Sequence, residues 1–242
     1  MMQEYWQPLL IGIMAFLYAS VGHGGASGYL ALMAIFGTSP ALMKSSALIL
    51  NVFVSLVAFI QYYRAGHFRW NLFWPFALAS IPLSYIGATL PITDSLYKKL
   101  LAVALAIAIA RMLFQPVEKA ENKPVPLMGA LAIGAVIGLL SGMLGIGGGI
   151  VLSPVILLLG WGRVKETAAV SALFIFVNSM SGLYGLFQKG FEPNGQLTSW
   201  LVAALVGGFV GAYQGSFKFN LQTLRYILAS VLLIAVAKLY LT

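Results

Sequence analysis

Apolar residues in this chain run in long blocks, and the polar residues gather between the blocks instead of alternating with them. About 20 apolar residues are needed to cross a bilayer core as helix. On that measure the pattern predicts a first segment over 8–36, broken by glycines, and three ordinary spans over 41–63, 71–90 and 94–114. Residues 115–126 then hold three prolines and four charges, a composition that cannot cross a membrane and reads as a surface linker. After it come a second broken segment over 127–160 and spans over 164–187, 197–215 and 221–241. The chain is therefore expected to be an all-α polytopic membrane protein of two homologous halves, with a first repeat over 1–114, the linker, and a second repeat over 127–242.

The repeat extends to single residues. Gly87-Ala88 matches Gly211-Ala212, Gly66 matches Gly190, and Arg111 closes the fourth element where Lys238 closes the eighth. Ser46-Ala47-Leu48 matches Ser171-Ala172-Leu173, and Asn51 and Asn178 follow within about two turns. The breaks themselves correspond, Gly22-His23-Gly24-Gly25 in the first half and Gly145-Ile146-Gly147-Gly148-Gly149 in the second. Backbone at membrane depth must satisfy its own hydrogen bonds, so consecutive glycines there belong where they face protein, water or a solute. A helix that starts within the membrane also turns unpaired N–H groups, with their partial positive charge, towards the cavity beyond it. An anion suits such a place.

Composition agrees with the pattern: 60% hydrophobic and 8% charged residues, with a mean hydropathy of +0.93, exclude an ordinary soluble domain. The absence of cysteine removes disulfides and thiolate chemistry. The formal charge of +8 fits basic loops at an anionic leaflet and calls for no nucleic-acid partner. The expected partners are a small anionic solute and the lipid bilayer, with no cofactor. Only Glu4 precedes Lys44 among the charges, so the N-terminus lacks the basic region of a secretory signal and is expected to stay in the mature protein.

Basic residues also bear on topology. If each broken segment folds back as a re-entrant hairpin, Arg64, Arg69, Arg111, Lys119, Lys123, Arg163, Lys165, Lys218 and Arg225 share one face and leave Lys44, Lys98, Lys99, Lys189 and Lys238 on the other, nine against five. If the segments cross, the split is seven to seven and the orientation rule has nothing to act on. Hairpins are therefore favoured over eight crossings, and three full crossings per half then make the halves inverted repeats around one midplane site.

The second break, Ser141-Gly142-Met143-Leu144-Gly145-Ile146-Gly147-Gly148-Gly149, followed by Pro154 and by Ala168-Ala169-Val170-Ser171-Ala172-Leu173, resembles the sulfite exporter and sulfonate permease family of membrane transporters (TauE/SafE). A weaker form of the pattern occupies 22–50, so the resemblance spans nearly the whole chain. It implies export or uptake of sulfite, sulfonate or related organosulfur or carboxylate anions across a prokaryotic inner membrane, without an ATP-binding domain. The first half departs from the pattern at His23, at Ala26 in place of the third glycine, and at Ala31 in place of the proline equivalent to Pro154.

The candidate substrate-binding residues are His23, Gly24, Gly25, Ser27, Ser46, Asn51, Gly145, Gly147, Gly148, Gly149, Ser171 and Asn178. The glycines would present backbone N–H groups, and the Ser and Asn side chains, with Ser179, could donate to oxyanion oxygens, although such side chains also bond back to their own helix. His23 is the proton-coupling candidate, since a membrane-embedded imidazole can take a proton beside an anion. Lys44 reads as a snorkelling lysine, and Trp70, Trp74 and Trp200 as interfacial anchors. Gly25-Ala26-Ser27-Gly28 also matches the Gly-x-Ser-Gly pattern of rhomboid-type intramembrane proteases, but the second break has no serine there, and a duplicated break suits two-sided access better than one nucleophile. All six acids lie at termini or in loops, which disfavours cation transport, and neither histidine has a partner at metal-ligand spacing. An anion channel remains the alternative to a carrier, and the chain is not expected to be an enzyme.

Overall fold

A computed structural model describes residues 3–113, 123–190 and 197–217. The described chain is helical, in the order α1 (Gln3–Ala19), α2 (Ala26–Ile35), α3 (Pro40–Arg64), α4 (Trp70–Thr89), α5 (Asp94–Leu113), α6 (Leu127–Leu144), α7 (Gly149–Leu158), α8 (Val164–Phe187) and α9 (Leu197–Phe217). The apolar blocks thus become helices within a few residues of the expected bounds, except that α1 begins earlier and carries Pro8 inside it. Five of these helices, α3, α4, α6, α8 and α9, are long and apolar enough to span a membrane. The expected span over 221–241 and most of the linker over 115–126 lie outside the described residues.

Helix directions follow from close backbone approaches. Gly134, Gly138 and Gly142 of α6 sit so near α4 that an added Cβ would lie 2.4, 2.3 and 1.9 Å from the carbonyl oxygens of Phe76, Ser80 and Ser84. Both series advance by four residues, so α4 and α6 run parallel, with small residues letting the backbones meet. Ser181 donates to the Ile81 carbonyl at 2.6 Å and Lys189 to that of Thr89, which makes α8 parallel to α4 as well. The other side of the molecule repeats the arrangement. Gly207 and Gly211 of α9 would meet carbonyls of α1, those of Gly12 and Phe16, and Gly215 that of Ser20 just after α1, at 2.0, 2.1 and 1.9 Å. Helix α3 runs with α9, because Val54 packs on Gly208 while Tyr62 donates to the Ser20 carbonyl beside Gly215. Against each other, α3 and α8 are antiparallel: Leu48 packs on Gly182, and Tyr62 on Ala168 and Ala169.

Since α6 and α8 share one direction, the chain must reverse between them, and α7 carries it back. The Lys123 N–H, just before α6, donates to the Gly160 carbonyl, just after α7, at 2.9 Å. By the same reasoning α2 returns the chain between the parallel helices α1 and α3. At ten residues, α2 and α7 are each about 15 Å long, half a hydrocarbon core.

Charge collects at the two ends of the bundle. Arg69 pairs with Glu166 at 3.2 Å, and Lys165 donates to the Ser216 carbonyl at one end. At the other, Lys44 and Lys189 both donate to the last carbonyls of α4, those of Ala88 and Thr89. Lys44 does not snorkel; it is 8% exposed and its ammonium caps α4. Among the expected anchors, Trp70 and Trp74 are exposed, but Trp200 is packed into the core and cannot meet lipid headgroups. The outer surface carries Leu78, Val103, Val136, Val202, Val206 and Phe209 in exposed positions, as a lipid-facing wall requires.

Candidate functional site

The two breaks meet between α3 and α8. In the first, α1 ends at Ala19 and Gly22 adopts φ +75°, letting the Gly22 N–H reach the Ala19 carbonyl and the His23 N–H that of Tyr18. The terminal carbonyls of α1 are thereby paired without water, as burial demands. Gly25 (φ +95°) starts α2 and Gly148 (φ +78°) starts α7, the same left-handed position in both breaks. A side chain at Gly22 would strike Ala168 of α8, and one at Gly145 would strike Lys44 of α3, so each break presses on the long helix of the opposite half.

A cavity of about 10 Å³, room for about one water molecule, lies at this junction, lined by Tyr18, His23, Gly24, Gly25, Ala26, Ser27, Asn51, Ile146, Ile150 and Ile175. It is far smaller than ordinary ligand pockets of about 300–1,000 Å³, so a solute would enter only as the surrounding helices part. Asn51 bridges the breaks: a Cβ on Gly24 would lie 2.5 Å from its Oδ1 and one on Gly147 2.7 Å from its Nδ2. Both amide atoms are buried with no hydrogen-bond partner among the described residues, and so are Tyr29 Oη and Ser179 Oγ. Buried polar groups are ordinarily paired, so a cluster of orphans beside a cavity is where a solute or water would complete the bonding.

His23 is buried at 6% exposure and held on both sides. Its Nδ1 lies 3.0 Å from the Val21 carbonyl, and its Nε2 3.0 Å from Ser153 Oγ of α7, whose hydroxyl also lies 2.7 Å from Ser171 Oγ of α8. A carbonyl only accepts, so the neutral ring carries its proton on Nδ1. Ser27, the serine of the protease-like pattern, donates to Tyr18 Oη at 2.7 Å. Ser153 does pair with a histidine, yet it is buried at 1% exposure and does not line the cavity.

Of the residues singled out from sequence, His23, Gly24, Gly25, Ser27 and Asn51 line the cavity. Gly147 stands against Asn51 and Ser179, and Ser171 reaches His23 through Ser153. Gly145 packs on Lys44, Gly148 on Ile137 and Phe174, and Gly149 on Ile175. Asn178 spends its amide N–H on the Phe174 carbonyl of its own helix, and Ser46 is buried in α3 away from the lining. Tyr18, Tyr29, Ile146, Ile150, Ile175 and Ser153 were not singled out. The isoleucines and tyrosines look like ordinary core in sequence. Ser153 carried a signal, being the polar side chain within the apolar run Gly149–Leu158.

A multi-pass helical membrane protein with two interrupted segments meeting at a buried polar cavity has the architecture of a transporter. The comparison with known proteins agrees, since residues 9–239 match the family model for the sulfite exporter TauE/SafE. The chain belongs to that family. It is 37% identical over 232 residues to a probable membrane transporter protein of Sinorhizobium fredii, covering 94% of each chain. A probable membrane transporter protein of Methanocaldococcus jannaschii is 28% identical over 142 residues, 57% of this chain and 53% of that one. No solved structure matches. The protein is thus a multi-pass transporter of a prokaryotic cell membrane, and not an enzyme.

Proposed function

We propose that the protein is a secondary transporter of a small anion, such as sulfite, a sulfonate or a related carboxylate, working by alternating access between two inverted repeats, with a proton carried on His23. The observation that carries this reading is the Asn51 amide, without a hydrogen-bond partner among the described residues and placed between Gly24 of one break and Gly147 of the other. The solute would be held there by Asn51, Tyr29 and Ser179 and by the amino-terminal ends of α2 and α7, whose first-turn N–H groups and dipoles favour negative charge. Among the described residues, no carboxylate lines the cavity to oppose an anion. Inverted repeats are supported by the antiparallel run of α3 against α8 and by the exchange of partners, α4 with α6 and α8, α9 with α1 and α3. In such a plan, rocking one half against the other opens the site to each face in turn.

Counterflow of labelled sulfite in proteoliposomes tests the proposal, with sulfonates and small carboxylates as competitors and His23→Ala compared at two pH values. Saturable exchange that loses its pH dependence in the variant is expected. A flux without counterflow would mean a channel. Transport unchanged in folded protein carrying valine at Gly24, Gly147 and Gly148 would sink the assignment of the breaks.

A further inference from the structure

One buried hydroxyl has competing acceptors. Ser153 Oγ lies 3.0 Å from His23 Nε2, 2.9 Å from the Gly149 carbonyl and 2.7 Å from Ser171 Oγ. A serine has one proton to donate, so it serves one acceptor at a time. While His23 is neutral, with its proton on Nδ1 towards Val21, the Nε2 lone pair faces Ser153 and takes that proton in a hydrogen bond. When His23 gains a second proton, Nε2 becomes a donor. Ser153 then accepts from it and turns its own proton to the Gly149 carbonyl. Either charge state leaves the imidazole fully paired, which a buried ionisable group otherwise lacks in one of its two forms.

The geometry points to Ser153 as the positioning residue that lets His23 load and release a proton inside the bundle. The inference rests on the reading of His23 as the proton-linked residue, and it extends that role across the molecule. His23 belongs to the first break, Ser153 to α7 of the second and Ser171 to α8, so the state of one imidazole is felt as a hydroxyl rotation in the opposite half. Among the described residues, Tyr18 of α1 lines the same cavity as His23; α7 carries no titratable group; and Tyr29 of α2, Lys44, Tyr62, Tyr63 and Arg64 of α3, and Lys165, Glu166 and Tyr184 of α8 lie outside the cavity lining. Bonds to a charged partner are worth more than bonds to a neutral one, so the hydroxyl favours the protonated ring by about tenfold, or about one pH unit.

The test is a 15N NMR titration of the histidine ring in the full chain in lipid nanodiscs, carrying His67→Asn so that only His23 reports. The parent should show a neutral form protonated on Nδ1. Ser153→Ala should lower the midpoint by about one pH unit, and Ser153→Thr, which keeps the hydroxyl, should restore it to within a few tenths. A neutral form protonated on Nε2, or a midpoint unmoved or raised in folded Ser153→Ala, overturns the inference. The tautomer is read on the chain with Ser153 intact, so the outcome stands even if the alanine variant does not fold. Sulfite counterflow indifferent to pH, with the NMR shift intact, would overturn only the coupled-transport reading.

Discussion

Replacing Asn51 by leucine should make the protein more stable and inactive. Leucine has the branching and heavy-atom count of asparagine, so the change swaps two polar atoms for methyl groups at a modest increase in volume. Both the amide N–H₂ and the carbonyl oxygen are buried without partners among the described residues. A buried polar group left unsatisfied costs about 1–3 kcal/mol. If the amide waits for a solute, leucine removes about that penalty, which for a chain of this size corresponds to a Tm rise of about 2–4 °C per kcal/mol. The assay is thermal unfolding of purified protein in nanodiscs, read beside sulfite counterflow from the same preparation. A rise in Tm with loss of exchange is the expected pair of results. A fall of several degrees together with lost transport would refute the reasoning, because it would show Asn51 holding the two breaks together through bonds in the resting protein.

Other outcomes follow from packing and charge. Gly142→Val and Gly215→Val, whose Cβ atoms would sit 1.9 Å from backbone carbonyls on α4 and just after α1, should each abolish folded protein in detergent, as judged by size-exclusion chromatography. Gly37→Ala has open space around it but a φ of +76°, so it should cost only about 1 kcal/mol and leave the elution profile intact. His67, in the loop between α3 and α4, is held below the ordinary histidine range by partial burial first and by Lys165 next, with Glu166 opposing. A group that takes its proton less readily when folded stabilises the protein above the ordinary histidine pKa and loses that contribution as pH falls through its folded value. Unfolding temperatures measured from pH 8 to 5 should therefore drop less steeply in His67→Asn than in the parent; an identical slope would remove His67 from the account.

How the sequence and the structure divide the work is clearest at particular residues. The helix blocks, the two breaks and the paired residues Gly87 and Gly211 were legible because each rests on short-range physics: apolar length, glycine where a backbone turns or meets another, and repetition along the chain. Gly87 and Gly211 indeed occupy matching places, against the backbones of α6 and α1. Tertiary packing alone decided which polar groups face the cavity. Asn51 and Asn178 look equivalent in sequence, but Asn178 donates its amide N–H to its own helix and keeps only its Oδ1 unpaired among the described residues, while both amide atoms of Asn51 are left between the breaks. It also joined His23 to Ser153 across 130 residues, and buried Trp200 where its place near a span end suggested an interface. Periodicity fixes what a segment is, because that depends on neighbours in the chain; which of its faces meets the solute depends on neighbours brought close by folding.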